Sequence, residues 1–463
     1  MALGHIAAAV RIDPRQPAWH SHHGLALFHT GDPAAALASF DRAIALRADQ
    51  PDAHSNRAMA LHALGRYPEA LESADRALFL DPRHVQALNN RGLVLRELDR
   101  CAEGLAAVDR ALALAPDFTD ALASRAALLV GLNRLAEAAE CTGRLLARRP
   151  DDAEAHWTAA VVHLTAGDFA RGLPEYEWRW RRADWRTPHR DLGPPWRGAE
   201  PLAGRTILIH PEQGLGDTVQ FSRYAGVLAA QGARVILEVQ PVLLDLLTTV
   251  PGAAEVVAWQ PEPPPHDLHC PLLSLPLACG TTLETIPAAV PYVAADPARV
   301  ADWSARLGPR TRPRVGLVWA GSVFHTNDRR RSIPLALLRP LLDAGVEVVS
   351  LQRDVTPADR AWLAAEPRLR HWGDELEGFA ATAAAIQSLD LLVTVDTAPA
   401  HVAGALGLPV WLLLPFTPDY RWLLDRDDTP WYPTARLFRQ PAPGDWAHVI
   451  ARVGTALREL AAT

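Results

Sequence analysis

The sequence predicts an α-helical superhelix of short repeats, joined to an α/β part with two doubly wound halves. Three observations lead to this prediction. Equivalent residues recur at a fixed interval before residue 152, and strand–turn–helix patterns begin at Arg205 and Leu391. In addition, most of the 15 tryptophans fall after residue 155. The two parts therefore differ in periodicity and in composition.

Composition and charge limit the class of protein. The 463-residue chain is 49% hydrophobic and 21% charged, which is ordinary for a soluble globular protein of about two to four domains. The net charge of −7 argues against a general nucleic-acid binder. The four cysteines lack metal-ligand spacing, and neither a signal peptide nor a long apolar run is present. We therefore expect a cytoplasmic protein without a membrane span.

The first part contains a repeat of 34 residues. Asp-Arg-Ala begins at Asp41, Asp75 and Asp109, which are 34 positions apart. Small residues follow the same interval at Gly24, Ala58, Gly92, Ala126 and Ala160. The pattern resembles the tetratricopeptide repeat, in which paired helices touch at small residues. It predicts four full repeats over residues 17–152 and a degenerate fifth unit from Ala153, in an array that covers residues 1–186.

Arrays of this kind usually bind a peptide in a concave groove. The sixth position of each repeat is polar, at His22, Asn56, Asn90, Ser124 and Thr158. The amides of Asn56 and Asn90 can donate to and accept from a peptide backbone. The resemblance to the array of protein O-linked N-acetylglucosamine transferase implies this use. The alternative is that these side chains are only solvated positions on a helix face.

A basic and aromatic stretch, residues 167–186, follows the repeats. We expect its aromatic side chains to attach the array to the next domain, with arginine stems covering apolar surface. Stacking on nucleic-acid bases is the alternative, which the negative net charge disfavours. The proline- and glycine-rich residues 187–204 are the predicted linker, before an N-terminal half over 205–312 and a C-terminal half over 313–463.

The N-terminal half begins with a predicted strand that ends at His210. The turn contains Gly214, Gly216 and Asp217, and a helix is predicted over residues 219–231. Glycines allow a tight turn at the carboxyl end of a strand, where a ligand would meet the acid. Asp217 and His210 are the candidate catalytic residues. A G-x-G-x-x-G pattern and a P-loop are both missing, so a dinucleotide or ATP-hydrolysis function is poorly supported.

The C-terminal half repeats this plan with more basic residues. Predicted strands end before Gly321 and Ser322, before Gln352, and before the run Asp396–His401. A loop with Arg329, Arg330 and Arg331 precedes a predicted helix over residues 334–344. Free N–H groups and the helix dipole at the start of the helix after Asp396 favour an anion. The sequence therefore predicts a phosphate site there, opposite Asp217.

Three motifs together resemble the heptosyltransferase family, glycosyltransferase family 9. They are GLGD at 214–217, R-S-I-P at 331–334 and D-T-A-P-A-H at 396–401. The combination of array and transferase also resembles bacterial flagellin glycosyltransferases. These resemblances imply a GT-B architecture and metal-independent, inverting transfer of a sugar from a nucleotide-sugar to a protein hydroxyl, with flagellin as a candidate acceptor. No cofactor or metal is expected.

The resemblance also implies roles for individual residues. Asp217 is the general base, and the donor-binding residues expected within the three motifs are Gly214, Gly216, Arg331, Asp396, Thr397, Ala398, Ala400 and His401. Gly321, Ser322 and Gln352 are expected to join them from their positions at the ends of predicted strands. Arg331 stands where the family has lysine, and Ala398 where it has glycine, so the donor need not be an ADP-heptose. A CMP-linked nonulosonate such as CMP-pseudaminate would fit the flagellin resemblance.

Other interpretations remain open at this stage. Asp217 and Asp396 are also suited to helix N-caps, and His210 and His401 to packed positions. Arg329–Arg331 are equally suited to a solvated charge run. An acceptor that is small or lipid-linked is the first functional alternative, and a repeat scaffold with an inactive transferase domain is the second. The sequence names neither the sugar nor the base, and it leaves self-association open.

Overall fold

The computed structural model describes residues 2–185, 190, 192–212, 214–322 and 327–462. These residues form two compact units, Met1–His163 and Leu164–Thr463. The expected boundary at residue 186 differs from this division because the segment after Leu164 packs within the second unit. Residues 187–189 and 191 of the predicted linker, and residue 186 at the end of the predicted array, lie outside the described residues.

The first unit is an array of antiparallel helix pairs, as the repeat predicts. Most of the helices have 11 to 14 residues. They are α1 (Ala2–Ile12), α2 (Pro17–His29), α3 (Pro33–Leu46), α4 (Pro51–Ala63), α5 (Tyr67–Leu80), α6 (Val85–Glu97), α7 (Cys101–Leu114), α8 (Thr119–Gly131), α9 (Leu135–Leu146) and α10 (Ala153–Thr165), the last of which ends just beyond the unit.

The repeated residues connect successive repeats. Asp41, the first residue of an Asp-Arg-Ala motif, accepts a hydrogen bond from Arg57 at 2.6 Å. The same pairing recurs one and two repeats later, as Asp75–Arg91 and Asp109–Arg125. Gly24 is required by packing, since a Cβ there would lie 2.5 Å from the Phe40 ring. The small residues therefore set the distance between helices, while exposed ion pairs add about 0.2–1 kcal/mol each.

The second unit begins with α11 (Phe169–Tyr176) and a 3₁₀ turn (Glu177–Arg181). A parallel four-stranded sheet follows, in the order β3-β2-β1-β4. Its elements are β1 (Thr206–His210), α12 (Leu215–Phe221), α13 (Tyr224–Ala230), β2 (Arg234–Val239), α14 (Leu244–Leu247), β3 (Ala253–Ala258), β4 (Leu268–Pro271) and α15 (Leu275–Ala278). The single helix expected over 219–231 is therefore two shorter helices.

A second parallel sheet of six strands has the order β10-β9-β8-β5-β6-β7. Its elements are α16 (Pro297–Leu307), β5 (Arg314–Val318), α17 (Asp328–Arg331), β6 (Glu347–Ser350), α18 (Pro357–Ala365), β7 (Arg370–His371), α19 (Gly378–Gln387), β8 (Leu391–Val395), α20 (Ala398–Ala405), β9 (Val410–Leu414), β10 (Ala435–Arg439) and α21 (Trp446–Ala462).

One expected helix has a different form. The stretch predicted as a helix over 334–344 is a 3₁₀ run, Leu335–Asp343, with Pro340 inside it. Proline has no N–H for the bond to the residue four positions earlier, and its ring clashes with that carbonyl, so a regular α-helix is disfavoured there. Among the described residues, no helix is both long and apolar enough to cross a membrane.

The centre of the second sheet is fully enclosed. All five residues of β5 and all five of β8 are buried. Strands covered on both faces are nearly continuous in apolar residues, and β8 has four apolar residues and the β-branched Thr394. The turns that follow these two strands are consequently held by a rigid support.

Candidate functional site

The order of the strands places the predicted residues at related positions in the two sheets. In the six-stranded sheet, the chain switches sides between β5 and β8, and in the four-stranded sheet it does so between β1 and β4. Ligands of open parallel sheets bind beyond the carboxyl ends of strands at such switch points. The turns after β1, β5 and β8 carry most of the predicted site residues, so they lie where a ligand site is expected.

In the turn after β8, the residue at the N-cap of α20 makes no side-chain capping hydrogen bond. Thr397, not Asp396, is this N-cap residue. Ala398 does not have a positive φ, so alanine in place of the family's glycine causes no backbone strain here. The N–H of Ala400 donates to the carbonyl of Thr397 at 2.9 Å. The first-turn groups that suit an anion are therefore the Thr397 hydroxyl and the Ala398 N–H.

Asp396 is half-buried, and one other carboxyl, that of Asp419, acts on it. Its pKa is raised to about 6, chiefly by desolvation and next by the negative charge of Asp419. The Trp422 indole and the guanidinium groups of Arg421 and Arg331 act in the opposite direction. The buried Trp422 Nε1 makes no hydrogen bond of normal geometry with a described residue.

Arg331 connects the turns after β5 and β8. Its Nη1 donates to the carbonyl of Asp396 at 2.9 Å, and its Nε lies 3.4 Å from Asp328 Oδ1. A Cβ at Gly321 would lie 2.3 Å from the Arg331 Nη2 atom. Glycine at this position therefore gives the guanidinium its place beside the start of α20. The adjoining Ser322 is exposed.

Gln352, just after β6, is hydrogen-bonded to the backbone of the turn that follows β5. Its Oε1 accepts hydrogen bonds from the N–H groups of Trp319 and Ala320, and its Nε2 donates to the carbonyls of Ala320 and Asp354, all within 3.2 Å. The amide is buried and engaged on both its oxygen and its nitrogen. It shapes the turn after β5, and direct contact with a donor stays a prediction.

The turn after β1 brings Asp217 to the other half of the unit. Asp217 Oδ2 accepts a hydrogen bond from the N–H of Gly214 at 3.1 Å. Its Oδ1 accepts from Arg421 Nη2 at 2.5 Å. Gly216 packs against α20, since a Cβ there would lie 2.7 Å from His401 Cδ2 and 3.4 Å from Ala398 Cα. Gly216, the second glycine of the GLGD motif, thus allows α12 and α20 to approach closely.

His401 is held in an aromatic cage. Its Nδ1 is hydrogen-bonded to the Tyr432 hydroxyl at 2.9 Å, and its ring stacks on Trp422. Burial, followed by the charges of Arg421 and Arg223, lowers its pKa well below the usual value. The imidazole is therefore neutral at pH 7. Its contacts fit the packed role considered above, and a hydrogen bond to phosphate stays a prediction.

Arg421 is a site residue that the sequence analysis did not identify. It lies in the segment after β9 and, besides Asp217, donates to Asp419 Oδ1 at 2.9 Å and Gln220 Oε1 at 2.8 Å. Its contact with Asp217 joins residues that are 204 positions apart. An arginine among aromatic residues just beyond a predicted strand is the local feature that could have indicated it.

His210 belongs to a different group of side chains. Its Nε2 lies 3.2 Å from His269 Nδ1, and its pKa is lowered to about 3 by burial and by the charges of His269 and Arg190. A histidine with this pKa is neutral at pH 7 and a weak base. The side chain of His210 contacts His269, and its catalytic role stays a prediction.

A buried ion network supports the β1–α12 turn from the N-terminal side. Arg179, from the 3₁₀ turn after α11, makes two hydrogen bonds to Glu212, at 2.9 and 3.0 Å. It also donates to Ser274 and to Glu177, each at 2.6 Å. The aromatic segment that we expected to attach the array therefore braces the candidate site.

The two predicted groove residues differ in their surroundings. Asn90 is buried, and its Nδ2 donates to the carbonyl and the hydroxyl of Ser55 at 3.0 and 3.1 Å. Its Oδ1 accepts from Gln86. Asn56 is half-buried. Asn90 therefore connects two repeats, and peptide binding by either amide stays a prediction.

Over the described part of the chain, no three His, Cys, Asp or Glu side chains are grouped as metal ligands.

Comparison with known proteins supports the repeat assignment. A family model for the tetratricopeptide repeat matches residues 2–53, 22–82, 55–117 and 124–186. The chain is therefore a protein with tetratricopeptide repeats in its first part and parallel α/β sheets in its second. It is 30% identical over 342 residues to Protein FlbA of Caulobacter vibrioides (strain ATCC 19089 / CIP 103742 / CB 15). The match covers 67% of this chain and 56% of FlbA, so the chain spans little more than half the length of that relative.

Solved structures of repeat proteins are also similar to part of the chain. YrrB, described as a TPR protein with an unusual peptide-binding site, is 20% identical with a TM-score of 0.30, over 37% of this chain and 89% of YrrB. TTC0263 of Thermus thermophilus, described as a thermophilic TPR protein, is 21% identical with a TM-score of 0.34, over 36% of this chain and 91% of TTC0263.

Proposed function

We propose that the second unit is a glycosyltransferase of GT-B type that uses a nucleotide-sugar, and that the repeats bind a protein acceptor. The observation that carries the proposal is the approach of α12 to α20 at Gly216. It places the turn with Asp217 beside the helix start that has the free Thr397 hydroxyl. The helix that carries an acid of one sheet thus lies close to a helix start of the other, where free N–H groups would favour an anion.

The proposed reaction is a displacement at the anomeric carbon. The acceptor hydroxyl oxygen forms a bond to that carbon while its proton passes to the Asp217 carboxylate. The bond between the sugar and the phosphate oxygen breaks, and its electron pair leaves with the nucleotide. Hydrogen bonds from the Thr397 hydroxyl, the Ala398 N–H and Arg331 would stabilise the leaving phosphate. Attack opposite to the leaving group inverts the anomeric configuration.

The proposed acceptor is a protein bound by the repeats. Flagellin comes from the resemblance between this domain combination and bacterial flagellin glycosyltransferases. The engaged amide of Asn90 favours a groove that relies on other residues, including Asn56. Transfer to a small or lipid-linked acceptor remains the second candidate because it does not require groove amides.

The first test measures nucleotide binding and turnover in the purified full chain. A thermal-shift panel of UDP, GDP, ADP and CMP identifies the base. Release of that nucleotide from its sugar conjugates, with water in place of the acceptor hydroxyl, measures turnover. We expect Asp217→Asn to bind the nucleotide like wild type but to lose at least 100-fold in turnover. We expect Arg331→Ala to weaken nucleotide binding about tenfold or more, through a lost charge-assisted hydrogen bond.

Asp428→Asn is the matched control, because Asp428 is an exposed acid paired with Arg426. It should change neither binding nor turnover. Full turnover by Asp217→Asn would refute the assignment of the base. If no nucleotide of the panel and none of its sugar conjugates binds the wild-type protein, the scaffold interpretation replaces the transferase.

A further inference from the structure

Arg421 uses each of its side-chain nitrogens for a different partner. Nη2 contacts Asp217 at 2.5 Å, Nη1 contacts Asp419 at 2.9 Å, and Nε contacts Gln220 at 2.8 Å. The planar fork of guanidinium donors can meet three such acceptors at once, whereas a lysine offers a single nitrogen. The geometry therefore requires arginine and not only a positive charge.

Two of these partners lie on one helix. Asp217 and Gln220 are three positions apart on α12, and residues at this spacing share a helix face. Both point to the same guanidinium, which comes from the segment after β9 in the other sheet. Arg421 thereby fixes the rotation of α12 about its axis, and with it the direction of the Asp217 carboxylate.

Arg421 is buried with its acidic partners, so removing one of them should lower the stability of the protein. Arg421 is 7% exposed, and its guanidinium lies 4.8 Å from the centre of the Tyr420 ring. A buried guanidinium without its acidic partners is strongly destabilising. The titratable and charged groups around the Asp217–Arg421 pair and its neighbours include Asp419, Asp396, Tyr420, Tyr176, Tyr432, Arg179, Arg223, Arg331 and His401.

The backbone next to Arg421 is also strained. Leu423 has φ 53° and ψ −167°, a conformation that costs a residue other than glycine roughly 1–3 kcal/mol. Arg439 Nη2 donates to the carbonyls of Trp422 and Leu423, at 3.1 and 2.8 Å. A strained turn held by a second arginine is typical of a segment whose exact position matters.

We propose that Arg421 is a positioning residue for Asp217 in the transfer reaction. It holds Oδ1 of the carboxylate through the 2.5 Å contact and so orients the carboxylate toward the acceptor hydroxyl. Arg421 acts through Asp217, without touching the sugar or the phosphate. This inference rests on the proposed transferase function.

The experiment compares Arg421→Lys and Gln220→Met with wild type in the nucleotide-release assay. The substrate is the fastest conjugate among UDP-N-acetylglucosamine, GDP-mannose, ADP-heptose and CMP-N-acetylneuraminate. A misplaced base costs about 100-fold in rate, so we expect that loss of kcat in Arg421→Lys, with the donor KM unchanged within about threefold. Gln220→Met keeps the ion pair and should lose kcat by a smaller factor, again at constant KM.

The pH profile separates positioning from a merely structural role. In Arg421→Met the carboxylate loses its cationic partner, so the acid limb of kcat/KM should move to higher pH by about one unit or more. Arg426→Lys is the control, since Arg426 lies in the same segment but pairs with Asp428. It should leave kcat and the acid limb unchanged.

Each outcome has a distinct meaning. If Asp217→Asn is inactive but the Arg421 and Gln220 variants keep the wild-type kcat and acid limb, the inference about Arg421 is wrong and the transferase stands. If Arg421→Lys fails to fold, Gln220→Met decides: an unchanged kcat overturns the inference. If wild type releases nucleotide from no conjugate, the proposed function fails, and the inference fails with it.

Discussion

The carboxylate of Asp217 and the guanidinium of Arg421 lie 2.5 Å apart and join turns that follow strands of two different sheets. Asp217 belongs to the helix after β1, and Arg421 to the segment after β9. The side chains are 20% and 9% exposed, so the pair lies largely out of water. It links the structure of the candidate site to the stability of the whole second unit.

The first prediction concerns the energy of this pair. Removing one partner of a buried ion pair costs about 3–5 kcal/mol, largely because the other charge is left uncompensated. Arg421→Met should therefore lower the free energy of unfolding by that amount, and Asp217→Asn by less, since its amide keeps one acceptor oxygen. A urea-denaturation double-mutant cycle should give a coupling above about 1 kcal/mol. Strict additivity would show that the two side chains do not interact.

The second prediction concerns the space that Gly321 leaves for Arg331. Gly321→Ala places a Cβ 2.3 Å from Arg331 Nη2, but the end of a flexible side chain can move away at low cost. We expect stability to change by about 1 kcal/mol or less, and nucleotide affinity to fall about tenfold as Arg331 leaves the start of α20. Isothermal titration with the nucleotide selected by the thermal-shift panel measures this loss.

Gly454→Ala is the control for Gly321→Ala. Gly454 lies inside α21, and the nearest atoms to an added Cβ are 3.7 Å away. Alanine there should stabilise the helix by up to about 1 kcal/mol without altering affinity. Wild-type affinity in Gly321→Ala would show that the position of Arg331 is unimportant for the nucleotide.

The third prediction is a pH dependence from Asp396. Its pKa is raised from 3.8 to about 6 in the folded protein, so the folded state holds the proton more tightly than the unfolded state. The contribution to stability is therefore complete below about pH 4 and is lost as the pH rises through about 6. Asp396→Asn should match wild type near pH 4 and exceed it by about 1–3 kcal/mol at pH 7. A difference that stays constant between these pH values would refute the shift.

The fourth prediction concerns Arg179 and Glu212. Burial raises the pKa of Glu212, and the Arg179 charge opposes this shift. Arg179→Met should cost about 3–5 kcal/mol because it leaves a buried carboxyl unpaired. Adding Glu212→Gln removes that charge, so the double variant should be more stable than Arg179→Met alone. Chemical denaturation at pH 7 measures both, and a double variant less stable than Arg179→Met would contradict the prediction.

The sequence predicted those parts of the site that depend on local pattern. The run of apolar or β-branched residues at 391–395 indicates a buried strand, and Asp396 with Pro399 marks its end, so β8, its turn and α20 were predictable. The glycines at 214 and 216 likewise indicated a turn after β1. In both cases the decisive residues are neighbours in the chain.

Contacts between distant residues were not predictable in this way. Arg421 contacts Gln220 and Asp217, which are 201 and 204 positions away in the sequence. The hydrophobic periodicity of a sequence indicates local structure and does not indicate contacts between such distant residues. Similarly, Asn90 matched the position of a groove residue, but its hydrogen bonds to Ser55 depend on how one repeat packs on the preceding one. The sequence specifies residue types at such places, and the packing decides which groups they meet.

The last prediction separates the roles of Asn90 and Asn56. Loss of the Asn90 amide leaves buried groups of Ser55 without a partner, so Asn90→Ala should cost about 1–3 kcal/mol. Asn56 is half-buried, and Asn56→Ala should be nearly neutral for stability. If the groove binds an extended peptide, Asn56→Ala should raise the KM for a protein acceptor several-fold and leave nucleotide release without acceptor unchanged. His22→Ala, at the equivalent exposed position of the first repeat, tests whether the effect extends along the groove. An unchanged KM in both variants would exclude these side chains from acceptor binding and favour the small or lipid-linked acceptor.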